Sequence, residues 1–453
     1  MSDRGTLDTT CDSVSDIATM PADSAAEKMY PSKLFVEVTT RCNLACGMCV
    51  KQAGGDKTVD GDLPPETFYS LEPAFPHLDT LILNGIGEPL LHPHLEAFIA
   101  KAKEKLPQTA WVGFQTNGLL LTDERAVSLV DAGLDRICLS LDAASPERFR
   151  DIRMGGEIGD MERAFSALQK AKTRRSRHDL RIGMEFVLMR DNLFELPRAV
   201  RWAAEQGVSF AIVTQVLPYS REASSHAVYD TNTAAAIAIY REWKRKAETE
   251  GITIGEYFEV FMKYAKSSRE ERLCEIVEGM KAEAGSRGIT LHIEELLSRD
   301  EDRLARAQDI LEETALIANQ QGITIKLPEL APDNKRRCEF VETGSAFVSR
   351  DGNVQPCYFL WHRYACYVGG REKRVKPWNF GNLSEKDIIE IWNEPEYRAF
   401  RKSVLHYDFP FCFDCSFALC DYVQDEDFEQ DCYVSSVPCG ACLWCTSLFH
   451  CLL

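Results

Sequence analysis

The sequence predicts an α/β protein whose parallel sheet curls into a complete or partial barrel. Three observations predict it. Six short apolar runs alternate with helical patterns between residues 31 and 218, a charge-rich helical stretch fills 219–330, and cysteine and aromatic residues crowd 331–453. Strands separated by helices are βαβ units, and these build parallel sheets. In such sheets chemistry belongs at the carboxyl ends of the strands.

Residues 1–30 are polar and aperiodic and read as a flexible tail. Strands are expected at Leu34–Thr39, Thr80–Leu83, Trp111–Thr116, Arg136–Leu141, Ile182–Met189 and Ala211–Val216. Helical patterns lie between them at His94–Leu106, Asp123–Ala132, Met161–Lys172 and Phe194–Gln206. Residues 219–330, rich in Ala, Glu, Lys and Arg, read as a helical insert or linker ending in a strand. Three times there a charged helix runs into a similar phrase, at Gly251–Ile254, Gly288–Leu291 and Gly322–Ile325. A helix C-cap glycine leading into a short strand accounts for these more simply than a degenerate repeat.

At 453 residues the chain has room for two or three domains, and 45% hydrophobic content excludes wholesale disorder. A net charge of −18 argues against a nucleic-acid or anionic-membrane partner. No apolar run approaches the roughly 18 residues of a spanning helix. The first residues lack the basic and apolar regions of a signal peptide, so a soluble, cytoplasmic protein is expected. Seventeen cysteines are the anomaly, and in a long cytosolic chain they point to metal or redox chemistry rather than disulfides. Cys138 sits in an apolar strand and reads as core; Cys11 and Cys274 are isolated.

Directly after the first strand, Cys42, Cys46 and Cys49 form C-x3-C-x2-C on one loop. Closely spaced thiolates suit an iron–sulfur cluster, and three of them leave the fourth iron of a cube open to another ligand. A zinc knuckle is the bland alternative, but no histidine is near to complete a tetrahedron. Other strand ends carry polar turns: Asn84-Gly85-Ile86-Gly87-Glu88-Pro89, Gln115-Thr116-Asn117-Gly118, Ser140-Leu141-Asp142, and Gln215 to Leu217. Singly, each could be a loop cap.

Together these segments resemble the radical S-adenosylmethionine (radical SAM) superfamily, with Met48 where an aromatic is usual. The resemblance implies a partial (β/α)6 TIM-like barrel and a [4Fe–4S] cluster on Cys42, Cys46 and Cys49. The cluster's open iron would chelate the amine and carboxylate of S-adenosylmethionine (AdoMet). An electron, from a reductant such as ferredoxin or flavodoxin, would then cleave the sulfonium to a 5′-deoxyadenosyl radical. By the same resemblance Gly85, Gly87 and Glu88 hold the methionyl amine, Arg153 pairs with the methionyl carboxylate, and Ser140 reaches the ribose. Asn117 and Asp142 would line the pocket, with Gln215 and Leu217 near the adenine.

Eleven cysteines lie between Cys338 and Cys451. Leaving aside Cys366, ten candidate ligands remain, enough for two four-thiolate clusters with two left over. The opening C-x13-G-x4-C of Cys338, Gly352 and Cys357 resembles the SPASM extension of radical SAM enzymes, which carries auxiliary [4Fe–4S] clusters. The middle departs from that pattern, with C-x2-C-x4-C at Cys412, Cys415 and Cys420 followed by a long gap. Two auxiliary clusters are implied. The first would take Cys338, Cys357 and one late cysteine, the second Cys412, Cys415, Cys420 and another. Which of Cys432, Cys439, Cys442, Cys445 and Cys451 close the clusters is left open by the spacing, and Cys432, Cys439, Cys442 and Cys451 are taken as the expected ligands. The segment Pro438–Trp444 resembles SPASM maturases associated with tungsten-containing aldehyde oxidoreductases.

The function so implied is radical modification of a protein or its cofactor. Radical modification of a peptide (crosslinking, oxidation or formylglycine formation in a sulfatase) is the alternative. A non-enzymatic iron–sulfur electron carrier is third, since a carrier needs no open iron at the mouth of a βαβ sheet. Expected partners are AdoMet, the reductant and a protein or peptide/cofactor substrate, with neither nucleic acid nor membrane.

Overall fold

The computed structural model describes residues 25–52, 58–297, 299–333, 335–368, 371–408 and 429–450. The six expected runs are all strands, trimmed or shifted at their ends: β1 Lys33–Val36, β2 Thr80–Ile82, β3 Trp111–Thr116, β4 Arg136–Ser140, β5 Arg181–Leu188 and β6 Phe210–Gln215. They pair in parallel in their chain order. Both faces are covered, so the strands are almost continuously apolar, as in the fully buried Leu34, Phe35 and Val36. Helices Leu95–Lys103, Asp123–Asp131, Ile158–Arg174 and Leu196–Glu205 make the crossovers. Their inward faces read Leu95, Phe98, Ile99 and Ala102 in the first, and Met161, Ala164, Phe165, Leu168 and Ala171 in the third. Thr122 starts the second by accepting from the Arg125 N–H, a side-chain N-cap.

The sheet goes beyond six strands. β7 (Thr324–Lys326) adds in parallel to β6, and β8 (Ser345–Val348) adds in parallel to β1. β9 (Asn353–Gln355) and β12 (Gly381–Asn382) follow antiparallel, while β10 (Tyr364–Val368) and β11 (Arg371–Val375) form a separate hairpin. The ten-stranded ladder runs β12-β9-β8-β1-β2-β3-β4-β5-β6-β7 and stays open, as a partial barrel requires.

Three sequence expectations need correction. Residues 25–30, placed in the tail, are anchored: Arg401 donates to the Ala26 carbonyl and Trp392 Nε1 to the Lys28 carbonyl at 2.8 Å, with Ala25 and Ala26 buried. Residues 1–24 lie outside the described set. The insert divides in two. Helices Ala234–Thr249 and Ser268–Ser286 close over a core of their own with Ile237, Tyr240, Val277 and Met280. Helix Glu301–Gln320 instead buries Ala307, Ile310 and Ile317 in the main core and delivers β7, a seventh helix–strand unit of the barrel. Gly251, Gly288 and Gly322 all have the positive φ of a helix C-cap, but only the third leads into a strand. Among its described residues the C-terminal unit carries three helices and five short strands between residues 339 and 406, joined by irregular segments. Its hairpin β8–β9 turns at Asp351-Gly352, where Gly352 has φ 80°.

Among the described residues no helix is long and apolar enough to cross a membrane.

Candidate active site

After β1 the chain enters the loop of Cys42, Cys46 and Cys49. Backbone bonds shape it: Cys49 N–H donates to the Cys46 carbonyl at 3.0 Å, and Ala45 N–H to the Met154 carbonyl at 3.1 Å. Burial pushes the Cys46 and Cys49 thiols up, the neighbouring cysteine charges add to it, and Arg153 opposes it. Thiols that hinder one another's ionisation are brought to thiolate by a shared metal centre, whose binding releases the protons. Among the described residues no three His, Cys, Asp or Glu side chains are gathered around one ion-sized point.

The loop after β2 lies against this one. Glu88 N–H donates to the Arg41 carbonyl at 2.7 Å, and Ile86 N–H to Glu37 Oε1 at 3.1 Å. A Cβ on Gly87 would stand 2.2 Å from the Thr39 carbonyl oxygen, and one on Gly85 2.3 Å from Glu37 Cγ. Only glycine permits that approach. The Glu88 carboxylate, expected to face a methionyl amine, is buried and braces the loop. It accepts from Thr116 Oγ1 at 2.6 Å, Asn117 N–H at 2.7 Å and Leu90 N–H at 3.1 Å, which fills three of its roughly four lone-pair positions. Asn117 in turn donates through Nδ2 to Asn43 Oδ1 at 2.8 Å, joining the β3 turn to the cysteine loop.

At the end of β4, Asp142 accepts from Arg153 Nε at 2.6 Å and from Val187 N–H at 2.7 Å. The pair is buried, with 11% of the Arg153 side chain and none of Asp142's exposed, and it leaves an Arg153 terminal nitrogen 4.0 Å from Cys46 Sγ. The guanidinium thus stands beside the thiols with its fork still available. Ser140 is buried one residue before Leu141, on the strand that carries Asp142. Met48 packs on the apolar cluster of Ile152, Met189 and Val216. Gln215 ends β6. Its Nε2 donates to the Glu329 carbonyl at 3.1 Å and its N–H to the Leu448 carbonyl at 3.3 Å, so the side chain faces the C-terminal tail. Leu217 is buried in the main core.

The structure adds groups the sequence reading missed. Tyr358, Asn84, Gln115 and Glu185 form one hydrogen-bonded chain: Asn84 Nδ2 donates to Tyr358 Oη at 3.3 Å and to Gln115 Oε1, and the Gln115 side chain bonds Glu185. Burial raises the Glu185 carboxyl to about 7, with Arg153 pulling it down and Asp142 pushing it up. Glu185 stands within the apolar run of β5 and Glu37 directly after Val36 of β1, each a carboxylate in an apolar stretch, and that was the signal available for them. His362 Nε2 lies 2.9 Å from Glu37 Oε1, so the C-terminal unit reaches the β1 end directly.

A second group of thiols lies in the C-terminal unit. Cys338, Cys357, Cys439, Cys442 and Cys445 act on one another electrostatically. Burial pushes Cys338 up to about 12 and raises Cys357 and Cys439 well above the usual thiol range. Cys442 moves the other way, chiefly through a hydrogen bond from Cys445, with the Cys445 and Trp444 N–H groups helping against burial. Cys445 Sγ also lies 3.4 Å from the Cys442 carbonyl oxygen. Cys445 is therefore inside the group, as the C-x2-C-x2-C spacing of Cys439, Cys442 and Cys445 suggests. Cys432 is exposed, and Cys412, Cys415, Cys420 and Cys451 lie outside the described residues.

Strand-end thiols thus stand beside a buried arginine, and a second group of thiols packs against the same core. Residues 36–219 match the radical SAM superfamily and residues 338–416 the SPASM iron–sulfur cluster-binding domain, together more than half of the chain. The chain belongs to the radical SAM superfamily and carries a SPASM domain. Its cofactors are accordingly a [4Fe–4S] cluster with AdoMet and SPASM iron–sulfur.

The chain is 29% identical over 423 residues to the tungsten-containing aldehyde ferredoxin oxidoreductase cofactor-modifying protein of Pyrococcus furiosus, covering 92% of this chain and 96% of that one. It is also 29% identical over 191 residues to the probable GTP 3′,8-cyclase of Methanocaldococcus jannaschii, covering 42% and 60%. Among solved structures, Streptococcus suis SuiB bound to precursor peptide SuiA gives a TM-score of 0.47 at 13% identity, covering 91% of this chain and 77% of that one. The structure of anSMEcpe with bound AdoMet gives 0.46 at 14% identity, covering 82% and 84%.

Proposed function

We propose that this radical SAM enzyme is a maturase acting on the cofactor of a tungsten-containing aldehyde oxidoreductase, or on the protein that holds it. The observation that carries this is the reach of the similarity. Against the Pyrococcus furiosus protein it runs through the barrel, the helical insert and the cysteine-rich unit, whereas the cyclase shares 191 residues only.

In this reading Cys42, Cys46 and Cys49 hold the cluster that meets AdoMet. When bound, the cluster supplies the electron that cleaves a carbon–sulfur bond of AdoMet and so starts hydrogen abstraction from the substrate. The protein's part is positioning. Gly85 and Gly87 let the β2 loop close on the cysteine loop, and Glu88 and Asn117 brace the two together. Asp142 holds Arg153 by Nε so that the remaining guanidinium nitrogens bind the methionyl carboxylate. Ser140 serves the ribose, and the Met48, Ile152, Met189 and Val216 patch offers the adenine an apolar face. Leu217 bounds that side from the core, while Gln215 secures the tail. Cys338, Cys357, Cys439 and Cys442 hold one auxiliary cluster. Cys412, Cys415, Cys420 and one of Cys432 and Cys451 supply a second. A low-potential reductant such as ferredoxin or flavodoxin and a reducing cytoplasm fit this thiol inventory.

The test is anaerobic incubation of the reconstituted protein with AdoMet, dithionite and either an immature tungsten oxidoreductase or a generic peptide. Release of 5′-deoxyadenosine that rises with the oxidoreductase supports the proposal. A rise with the peptide alone, or none with either, overturns it.

A further inference from the structure

Glu185 is a carboxyl in the middle of a core strand that the chemistry above leaves without a part. Parallel strands turn side chains in register to one face of the sheet. Ser140 is matched with Glu185, while Gln115, Cys138 and Gly183 stand level with one another one step below. The alternate residues of β5, Met184, Phe186 and Leu188, are fully buried in the main core. Gln115, Glu185 and Val187 are only partly buried, so the face they share opens on the inside of the partial barrel. The Phe210 ring lies across Gly183, where an added Cβ would meet it at 2.2 Å, and floors that space.

The hydrogen bonds around Glu185 run one way. Asn84 Nδ2 donates to Gln115 Oε1, and the Gln115 side chain bonds Glu185. With its oxygen engaged by Asn84, the Gln115 amide donates, and Glu185 is the acceptor at the end of the chain. Among the described residues Gln115 is its one hydrogen-bond partner, whereas a carboxylate has about four lone-pair positions. Glu37, at the end of β1, is by contrast engaged: it accepts from the Ile86 and Arg350 N–H groups at 3.1 and 3.3 Å and meets His362 Nε2 at 2.9 Å. The charges that act on Glu185, Arg153 and Asp142, are paired with each other. An acceptor desolvated with one donor gains from a ligand that brings more.

We infer that Glu185 is the substrate-anchoring carboxylate of the barrel interior, and that it takes a nitrogen function with two adjacent N–H donors, as in an amidine, a guanidine or a ring carrying that edge. The inference rests on the radical SAM reading above and narrows the substrate of the same chamber. A phosphate or carboxylate group would bring lone pairs and negative charge to an acceptor, whereas paired N–H groups match a carboxylate two to two. Level with Ser140, the anchored group lies beside the residue that serves the ribose.

The test is calorimetric titration of benzamidine into the full-length reconstituted protein with AdoMet present and no reductant, so that nothing turns over. Benzyl alcohol, the same ring without N–H donors, is the comparison. The parent is expected to bind benzamidine about tenfold more tightly than benzyl alcohol, and Glu185→Gln to lose that tenfold, the scale of one charge-assisted hydrogen bond. Glu185→Ala, which removes the acceptor outright, is expected to match it. AdoMet affinity should stay within about twofold in both. Iron content and melting midpoint are read beside, and whichever variant keeps them carries the comparison. Equal affinity of the parent for the two probes overturns the inference, as does a benzamidine affinity that the variants leave unchanged. So does a loss of AdoMet affinity as large as the loss for benzamidine, because the carboxyl would then serve the ribose. The maturase reading fails separately, through 5′-deoxyadenosine that does not rise with the oxidoreductase, and a benzamidine preference lost in the variants would survive that failure.

Discussion

Gly87→Ala is the perturbation whose cost can be worked out most directly. The added Cβ would meet backbone, the Thr39 carbonyl oxygen at 2.2 Å and the Arg41 carbonyl oxygen at 2.7 Å, with no flexible side chain to move aside. For the first contact alone to reach 3.0 Å, the β2 loop and the cysteine loop must part by about 0.8 Å. Overpacking of this kind costs about 1–3 kcal/mol. The parting also weakens the 2.7 Å bond from Glu88 N–H to the Arg41 carbonyl, which adds about 0.5–1.5 kcal/mol. Both costs fall on the geometry that presents Cys42, Cys46 and Cys49 to AdoMet. A total of about 2–4 kcal/mol corresponds to a loss of affinity of roughly 30- to 1000-fold. The assay is equilibrium dialysis of AdoMet against the anaerobically reconstituted variant, with iron content and thermal midpoint measured beside it. A G87A protein that keeps its full iron and binds AdoMet within about threefold of the parent would refute the reasoning, because the loops would then have no need of the contact.

Four further outcomes follow from the same geometry. Asp142→Ala strands the buried Arg153 guanidinium and the Val187 N–H, and is expected to cost about 3–5 kcal/mol in urea unfolding; a loss below about 1 kcal/mol, the scale of an exposed pair, would contradict the burial argument. Glu185 titrates at about 7 in the folded chain against an ordinary 4.5, so between those values the folded state keeps a proton the unfolded state has given up, and stability falls as pH rises through the window. Glu185→Gln should therefore melt above the parent at pH 8 and lose that advantage by pH 4, and parallel melting curves across the range would exclude the shift. Cys442→Ala should lower iron by about four per chain, one cube, while Cys445→Ala, which removes a hydrogen-bond donor and not a ligand, should keep its iron; the reverse order would exchange their roles. In the insert, Asp230→Ala breaks the 2.6 Å buried pair with Arg299 and should destabilise by about 3–5 kcal/mol, read as an early unfolding step in hydrogen exchange across residues 230–297.

The barrel core was legible because its code is local. Each of β1 to β6 is an apolar run bounded by a helix of the right period, and each strand-end motif follows in the next few residues. The cysteine spacing was equally local. What the sequence hid was set by pairing across long separations. Nothing in Ser345-Ala-Phe-Val marks it as the parallel neighbour of Lys33–Val36, and nothing in Thr324–Lys326 names β6 as its partner. The same holds for single side chains. Two of the three donors that engage Glu88 come from the end of β3, and Gln215 bonds Glu329 and Leu448, more than a hundred residues away. Burial of a polar group is legible only once its partners are known.

The pairing of β1 with β8 also fixes an order of events during synthesis. Lys33 reaches its partner Ser345 only after an interval that translation at about 5–20 residues per second stretches to roughly 15–60 s. Through that time the β1 edge offers bare N–H and C=O groups to any passing strand. The hairpin, the His362–Glu37 contact and the tail that ties His450 N–H to Thr214 Oγ1 come last and shut both ends. A chain cut short before residue 345 would therefore keep its strand-end motifs while leaving that edge unprotected.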